Sequence, residues 1–79
     1  MIINDISGIV KFHRKKSGLN QLELANLAGV GKTIIFDIEH GKTTIQLATL
    51  YKVLNTLNIK LLLSSPLMET YLKEKNEKS

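Results

Sequence analysis

The segment from Asn20 to Gly41, NQLELANLAGVGKTIIFDIEHG, constrains the fold more than any other part of this 79-residue chain. Asn20 and Glu23 have the three-residue spacing of a capping box, so a helix should begin directly after Asn20. Gly29 can adopt the left-handed backbone conformation that ends such a helix. A second amphipathic helix should then run from about 31 to 40, before Gly41. We therefore predict two short helices joined by a tight turn.

Helical periodicity continues on both sides of this segment. A first helix is predicted between an N-cap at Asn4 or Asp5 and a stop at Gly18, and a longer fourth helix should span 46–57. Each helix needs an apolar face spaced three or four residues apart. The candidates for these faces are Ile6, Ile9, Val10 and His13; Leu24, Leu27 and Ala28; Ile34 or Ile35 with Ile38; and Leu47, Leu50, Tyr51, Leu54 and Leu57.

The pattern changes after Asn58. Residues 59–64 are short, mostly apolar and followed by Pro66, which favours a strand over a further helical turn. A single strand leaves backbone groups unpaired on both edges, so we expect it to pair with a second copy in a two-fold ribbon. The alternative is an extended tail packed on the helices. The candidate residues of this dimer strand are Ile59, Leu61, Leu62 and Leu63.

The charge balance favours an acidic partner such as nucleic acid. The net charge is +4 at pH 7, although Lys73, Lys75 and Lys78 lie in a terminal run that also contains acids. The chain has no cysteine, and therefore no disulfide framework or thiolate metal site. Its N-terminus lacks the basic region of a signal peptide, and its apolar runs are far too short to span a membrane. We expect a soluble cytoplasmic protein without a membrane partner.

Enzymatic readings of the chain find little support. The GVGKT sequence at 29–33 copies the end of a P-loop, but Asn26 occupies the position of the required glycine, and the loop follows a helix instead of a buried strand. His13 and His40 lie in different elements without metal-ligand spacing, and no Ser/His/Asp set stands out. The sequence therefore predicts no enzyme, no cofactor and no metal site.

Two short helices joined by a tight turn form a helix-turn-helix unit, whose second helix enters the DNA major groove. The first and fourth predicted helices would support this unit in a compact bundle. The sequence therefore indicates DNA recognition by the helix at 31–40.

A set of residues at fixed spacing covers more than half of the chain: Arg14, Gly18 to Gln21, Glu23 to Ala25, Ala28 to Val30, Ile35, Ile38, Glu39, Gly41, Lys42, Leu47, Thr49, Leu50, Val53, Leu54 and Leu57. In these positions the chain resembles the Cro/C1-type (XRE) helix-turn-helix family of phage and bacterial repressors. The resemblance implies an all-α, lambda-repressor-like bundle of four or five helices, here with a short C-terminal strand paired across a homodimer.

The helix followed by an apolar strand and a short polar tail further resembles HipB-type antitoxins. This resemblance implies an autoregulating repressor that binds a palindromic operator in double-stranded DNA and has a HipA-like kinase toxin as partner. The alternative is a stand-alone phage or chromosomal repressor without a toxin. The predicted domains are a DNA-binding domain at 1–58, a dimerisation strand with a short helix at 59–72, and a flexible charged tail at 73–79.

In the family, the first residues of the second motif helix project into the groove. By position, the base-reading residues are Gly31, Lys32, Thr33, Phe36 and Asp37. Lys32 can donate to guanine or to a phosphate, and Thr33 can serve either. Phe36 can contact a thymine methyl, or else pack against the dimer partner or the first helix. Asp37 can accept from cytosine, or be a solvated acid.

Phosphate contacts are expected from residues at the start of the first motif helix and in the loop after the second. The phosphate-contacting candidates are Asn20, Gln21, Lys42, Thr43 and Thr44, although simple solvation is the alternative for any one lysine. Arg14 and Glu39 match an arginine and a glutamate that form a partly buried ion pair in the family. That pair would orient the recognition helix without touching bases.

Overall fold

The computed structural model describes residues 4–78, so residues 1–3 of the first predicted domain and Ser79 of the predicted tail lie outside it. Within the described residues there are five helices and no strand. The helices are α1 (Asn4–Lys16), α2 (Gln21–Ala28), α3 (Lys32–Glu39), α4 (Leu47–Thr56) and α5 (Met68–Lys78). The predicted all-α fold is confirmed. None of these helices is long and apolar enough to cross a membrane.

Both ends of α2 are built by local hydrogen bonds. The Asn20 Oδ1 atom accepts from the Glu23 backbone N–H at 2.7 Å, and the Glu23 carboxylate accepts from the Asn20 N–H at 2.8 Å. At the other end Gly29 has φ 73° and ψ 33°, and its N–H donates to the Ala25 carbonyl. The predicted capping box and left-handed turn are both present, and α3 begins only three residues after Gly29.

One buried core is shared by the four helices α1, α2, α3 and α4. Its members are Val10, Leu24, Ala25, Ile35, Ile38, Val53, Leu54 and Leu57. The main packing contacts are those of α3 with α1 and α2, and of α2 with α4. As a result, α3 is held along its Ile35/Ile38 face while its other side is left at the surface.

Several predicted core positions are wrong. The side chains of Leu27, Leu47 and Tyr51 are 64%, 60% and 42% exposed, whereas Ala25 and Val53 are buried. Since successive helix residues are about 100° apart, Leu27 lies outside the arc that Leu24 and Ala25 define. The apolar pattern allowed several rotations of each helix, and packing against its neighbours selected one.

The start of α1 also differs from the prediction. Asn4 and Asp5 were the candidate N-caps, but both lie inside the first turn of α1. Acidic side chains in a first turn interact favourably with the positive end of the helix dipole, so Asp5 suits this position as well.

The predicted strand at 59–64 is absent from the single chain. Residues 59–65 have no regular secondary structure, because a β-ladder needs a second strand and no described segment supplies one. Ile59 and Leu61 pack partly buried against the core, whereas Leu62 and Leu63 are 82% and 78% exposed. The segment 73–78, expected as a frayed tail, instead continues α5, whose residues are mostly exposed.

The turn after α2 generates a stability prediction. Gly29→Ala should lower the free energy of unfolding by about 1–2 kcal/mol, because alanine resists the left-handed conformation. A Cβ there meets nothing within 4 Å, so the loss should come from backbone strain alone. Urea denaturation at a fixed protomer concentration measures it.

Gly8 in α1 provides the matched control for this substitution. A Cβ at Gly8 also meets nothing within 4 Å, but its φ is not positive. Gly8→Ala should therefore raise stability, by up to about 1 kcal/mol. Equal effects of the two substitutions would contradict the strain argument.

Candidate nucleic-acid interface

An ion pair between α1 and α3 sets the frame of the surface. Arg14 donates from Nε to Glu39 Oε2 at 2.5 Å and from Nη2 to Glu39 Oε1 at 2.9 Å. The two side chains are only 10% and 2% exposed. Two parallel bonds of this kind fix distance and angle together. The structure thus brings together the two residues that the family resemblance paired, with Glu39 at the last position of α3.

Each partner of this pair makes one further hydrogen bond. The third arginine nitrogen, Nη1, donates to the Leu19 carbonyl at 2.9 Å, just before α2. Gln21 Nε2, in the first position of α2, donates to Glu39 Oε1 at 3.3 Å. Together these bonds connect α1, the start of α2 and the end of α3. The Gln21 bond has no signal in the sequence, since the two residues are 18 positions apart.

The electrostatics of the pair favour the charged forms. The hydrogen bond to Glu39 raises the pKa of Arg14, against the opposing effect of burial. Burial alone would raise the pKa of Glu39, but hydrogen bonds from Arg14 and Gln21 and the attraction of Arg14 outweigh it and lower the pKa below the ordinary 4.5. The contribution of Glu39 to stability is therefore fully present above about pH 4.5 and is lost as the pH falls through the lowered folded-state pKa.

The outer side of α3 carries most of the predicted base-reading residues. Lys32, Thr33 and Phe36 line one shallow depression together with Gln21 from α2. A second depression beside it is bordered by Asn20, Gln21 and Lys32, among others. Gly31 is the N-cap of α3 and makes no side-chain capping bond. The predicted base-reading and phosphate-contacting residues at the two helix starts therefore share one surface.

Phe36 has a partner that sequence reasoning missed. Its side chain is 48% exposed, and its ring stacks on His40 with the centroids 3.8 Å apart and the planes at 23°. This ring contact of Phe36 thus joins α3 to its own C-cap residue. The signal in the sequence was the four-residue spacing, which places two side chains together on a helix surface.

Asp37 and Lys42, predicted to read a base and to hold a phosphate, contact each other. Lys42 Nζ lies 3.4 Å from Asp37 Oδ2, with side chains 53% and 22% exposed. An exposed pair of this kind contributes about 0–1 kcal/mol. It is weak enough for Lys42 to exchange the carboxylate for another anion.

The other phosphate-contacting candidates differ in their exposure and in the hydrogen bonds that they already make. Thr43 and Thr44 are exposed in the loop between α3 and α4, and Thr43 also borders an apolar pocket that Ile38 and Leu61 line. Asn20 uses its Oδ1 atom and its backbone N–H in the capping box. The capping box does not use the Nδ2 amide group of Asn20, which can therefore donate to a phosphate.

The chain is similar in sequence to known helix-turn-helix proteins. The helix-turn-helix model HTH_3 matches residues 10–63. The curated HTH-type transcriptional regulator y4mF of Sinorhizobium fredii is 42% identical over 62 residues, which cover 78% of this chain and 82% of that protein.

Solved structures share the fold. A chain of a HipA–HipB–O2–O3 complex superposes with a TM-score of 0.73 at 24% identity, over 84% of this chain and 93% of that one. An HTH_3 family transcriptional regulator from Vibrio cholerae gives a TM-score of 0.64 at 33% identity, over 73% of this chain and 33% of that one. The match to the larger protein is therefore confined to one part of it.

The buried ion pair generates a second prediction. Glu39→Leu leaves the Arg14 guanidinium buried and unpaired, and should lower the free energy of unfolding by about 3–5 kcal/mol. The double variant Arg14→Met/Glu39→Leu removes both charges and should cost less than either single substitution. Urea unfolding of Arg14→Met, Glu39→Leu and the double variant, each compared with the wild type, measures the coupling energy. Additive losses would show that the two side chains act independently.

Proposed function

Since the chain belongs to the HTH_3 family of helix-turn-helix regulators, we propose that it is a sequence-specific DNA-binding repressor that acts as a homodimer. The observation that carries this proposal is the exposed outer side of α3, where Lys32, Thr33 and Phe36 share one surface with Gln21. The inner side of the same helix is fixed by the core and by the Arg14–Glu39 pair. A rigid helix with one free polar edge suits entry into a major groove.

In this proposal the N-terminal half of α3 reads the bases. Lys32 donates to guanine O6 or N7, and Thr33 serves a base edge or a phosphate. Phe36 contacts a thymine methyl, and Gly31 allows the backbone to approach the DNA closely. Asp37 accepts from cytosine N4 when Lys42 releases it for a phosphate.

Phosphates would be held by residues at the two ends of the helix-turn-helix segment. Gln21 and the Asn20 amide lie at the start of α2, and Lys42, Thr43 and Thr44 follow α3. Contacts to the DNA backbone at more than one point fix the register of a helix in the groove, while the base contacts carry the sequence information. The net charge of +4 favours the approach to DNA.

The proposed dimer uses residues 59–63. Leu62 and Leu63 are exposed apolar side chains on a segment that pairs with no strand in the described part of the chain, and the second copy of the same segment would supply the pairing strand. Two α3 helices would then meet successive major grooves of a palindromic operator. The half-sites should lie about 34 Å apart or at a multiple of that spacing.

More narrowly, we propose an autoregulating antitoxin of a HipA-like type II toxin–antitoxin system, acting in the cytoplasm. Support comes from the similarity of fold to a chain of the HipA–HipB–O2–O3 complex. A footprint on the protein's own promoter tests autoregulation, and co-purification with the product of an adjacent HipA-like kinase gene tests the partner. DNA binding without such a gene would favour a stand-alone phage or chromosomal repressor.

Two lysines should behave differently in DNA binding. Lys32→Ala should cost about 1–3 kcal/mol on the operator and relax the preference at one base pair, because Lys32 reads a base. Lys42→Ala should weaken binding to all duplexes alike and reduce the salt slope by about one, because Lys42 holds a phosphate. Fluorescence anisotropy on operator and scrambled duplexes at several salt concentrations measures both effects.

The two variants serve as controls for each other. A uniform loss for Lys32→Ala would remove that residue from the base-reading set. An unchanged salt slope for Lys42→Ala would remove it from the phosphate contacts.

Leu62→Lys should convert the dimer into a monomer, because it places a charge in the proposed ribbon. Leu27→Lys is the matched control: Leu27 is 64% exposed on α2, outside the ribbon segment, and its substitution should leave the dimer intact. Light scattering after size exclusion measures the mass. A dimeric Leu62→Lys protein would contradict pairing through 59–63.

A further inference from the structure

The stacked pair at the end of the recognition helix points to a role for a residue outside the predicted site. We propose that His40 is a positioning residue that holds the Phe36 ring ready to contact a thymine methyl. This inference rests on the proposed DNA-binding function. It starts from the stack itself, in which the ring centroids are 3.8 Å apart and the planes are inclined by 23°.

Hydrogen bonds fix the imidazole ring of His40. Its Nδ1–H donates to the Phe36 carbonyl at 2.7 Å, one helical turn back. The same carbonyl accepts the backbone N–H of His40 at 3.0 Å. Because a carbonyl oxygen only accepts, the Nδ1 nitrogen must carry the proton. Side chain and backbone of His40 are thus both tied to Phe36, and the imidazole offers one flat face to the phenyl ring.

Phe36 needs such support because the core does not provide it. Its side chain is 48% exposed, whereas the core side chains Ile35 and Ile38 on the same helix are buried. A half-exposed phenylalanine can rotate about its first side-chain torsion, and the lost rotamers oppose binding. Stacking on His40 removes that freedom before the DNA arrives.

The ring held in this way belongs to the reading surface. Phe36 borders the same depression as Gln21, Lys32 and Thr33, so it lies beside the polar groups proposed to contact bases and phosphates. An apolar ring in that setting suits the thymine C5-methyl group, the apolar feature of base edges in the major groove. His40 would therefore act on specificity through Phe36 without touching a base itself.

Deoxyuridine provides a direct test, because its base, uracil, differs from thymine only in lacking the C5-methyl group. An operator is first selected by the wild-type protein from a library of random duplexes. Each thymidine is then replaced by deoxyuridine, one position of the half-site at a time, and the affinity for each duplex is measured by fluorescence anisotropy. At one position per half-site the replacement should weaken wild-type binding about three- to fivefold, the effect of one buried methyl.

Four variants separate the contributions. Phe36→Ala and His40→Ala should both lose this methyl discrimination. His40→Phe keeps a ring for the stack and should retain it, whereas His40→Gln keeps an amide donor without a ring and should lose it. Because Phe36 and His40 are both exposed, the folds should persist, and thermal unfolding verifies this for each variant.

The outcomes distinguish this inference from the proposed function. Full methyl discrimination in His40→Ala would overturn the positioning role, as would its retention in His40→Gln with loss in His40→Phe. Full discrimination in Phe36→Ala would remove Phe36 from the reading surface and overturn the inference while DNA binding stands. Failure to select any duplex would refute the proposed function, and the inference with it.

Discussion

The bidentate pair of Arg14 and Glu39 is the interaction on which the rest of the surface depends. Burying two charges costs several kcal/mol for each ion, and only good geometry with every remaining donor satisfied offsets that cost. Here the Leu19 carbonyl and the Gln21 amide complete the set. Since these four residues belong to α1, α2, α3 and the turn before α2, one network fixes the mutual angles of the helix-turn-helix.

The core and the ion pair hold α3 at different places and in different ways. Ile35 and Ile38 anchor its inner side through apolar burial, which is non-directional, whereas the hydrogen bonds of the charged pair at its end require one geometry. Lys32 and Thr33 on the outer side belong neither to the core nor to this ion-pair network. Lys32 and Thr33 can therefore serve recognition without a cost in stability, and only Phe36 requires support from a neighbour, His40.

Sequence reasoning succeeded where the interaction is local. The capping box joins Asn20 and Glu23, which are three residues apart, and the left-handed turn depends on Gly29 itself. Both were predicted correctly. It failed for the exposed Leu27, because an apolar pattern on an eight-residue helix does not specify the helix rotation. It also placed a strand at 59–64, for which residues 4–78 supply no second strand to pair with.

The amino-acid pattern alone predicted the helix boundaries around the turn to within a residue or two, the helix-turn-helix family and the side of α3 that faces outward. Only the packing of the helices brought Gln21 to Glu39, 18 positions away, and so committed one of the predicted phosphate contacts to the ion pair. The physical reason is range: capping and turn preferences act over a few residues, whereas Arg14 and Glu39 are 25 positions apart and meet only when the core has set the helices together.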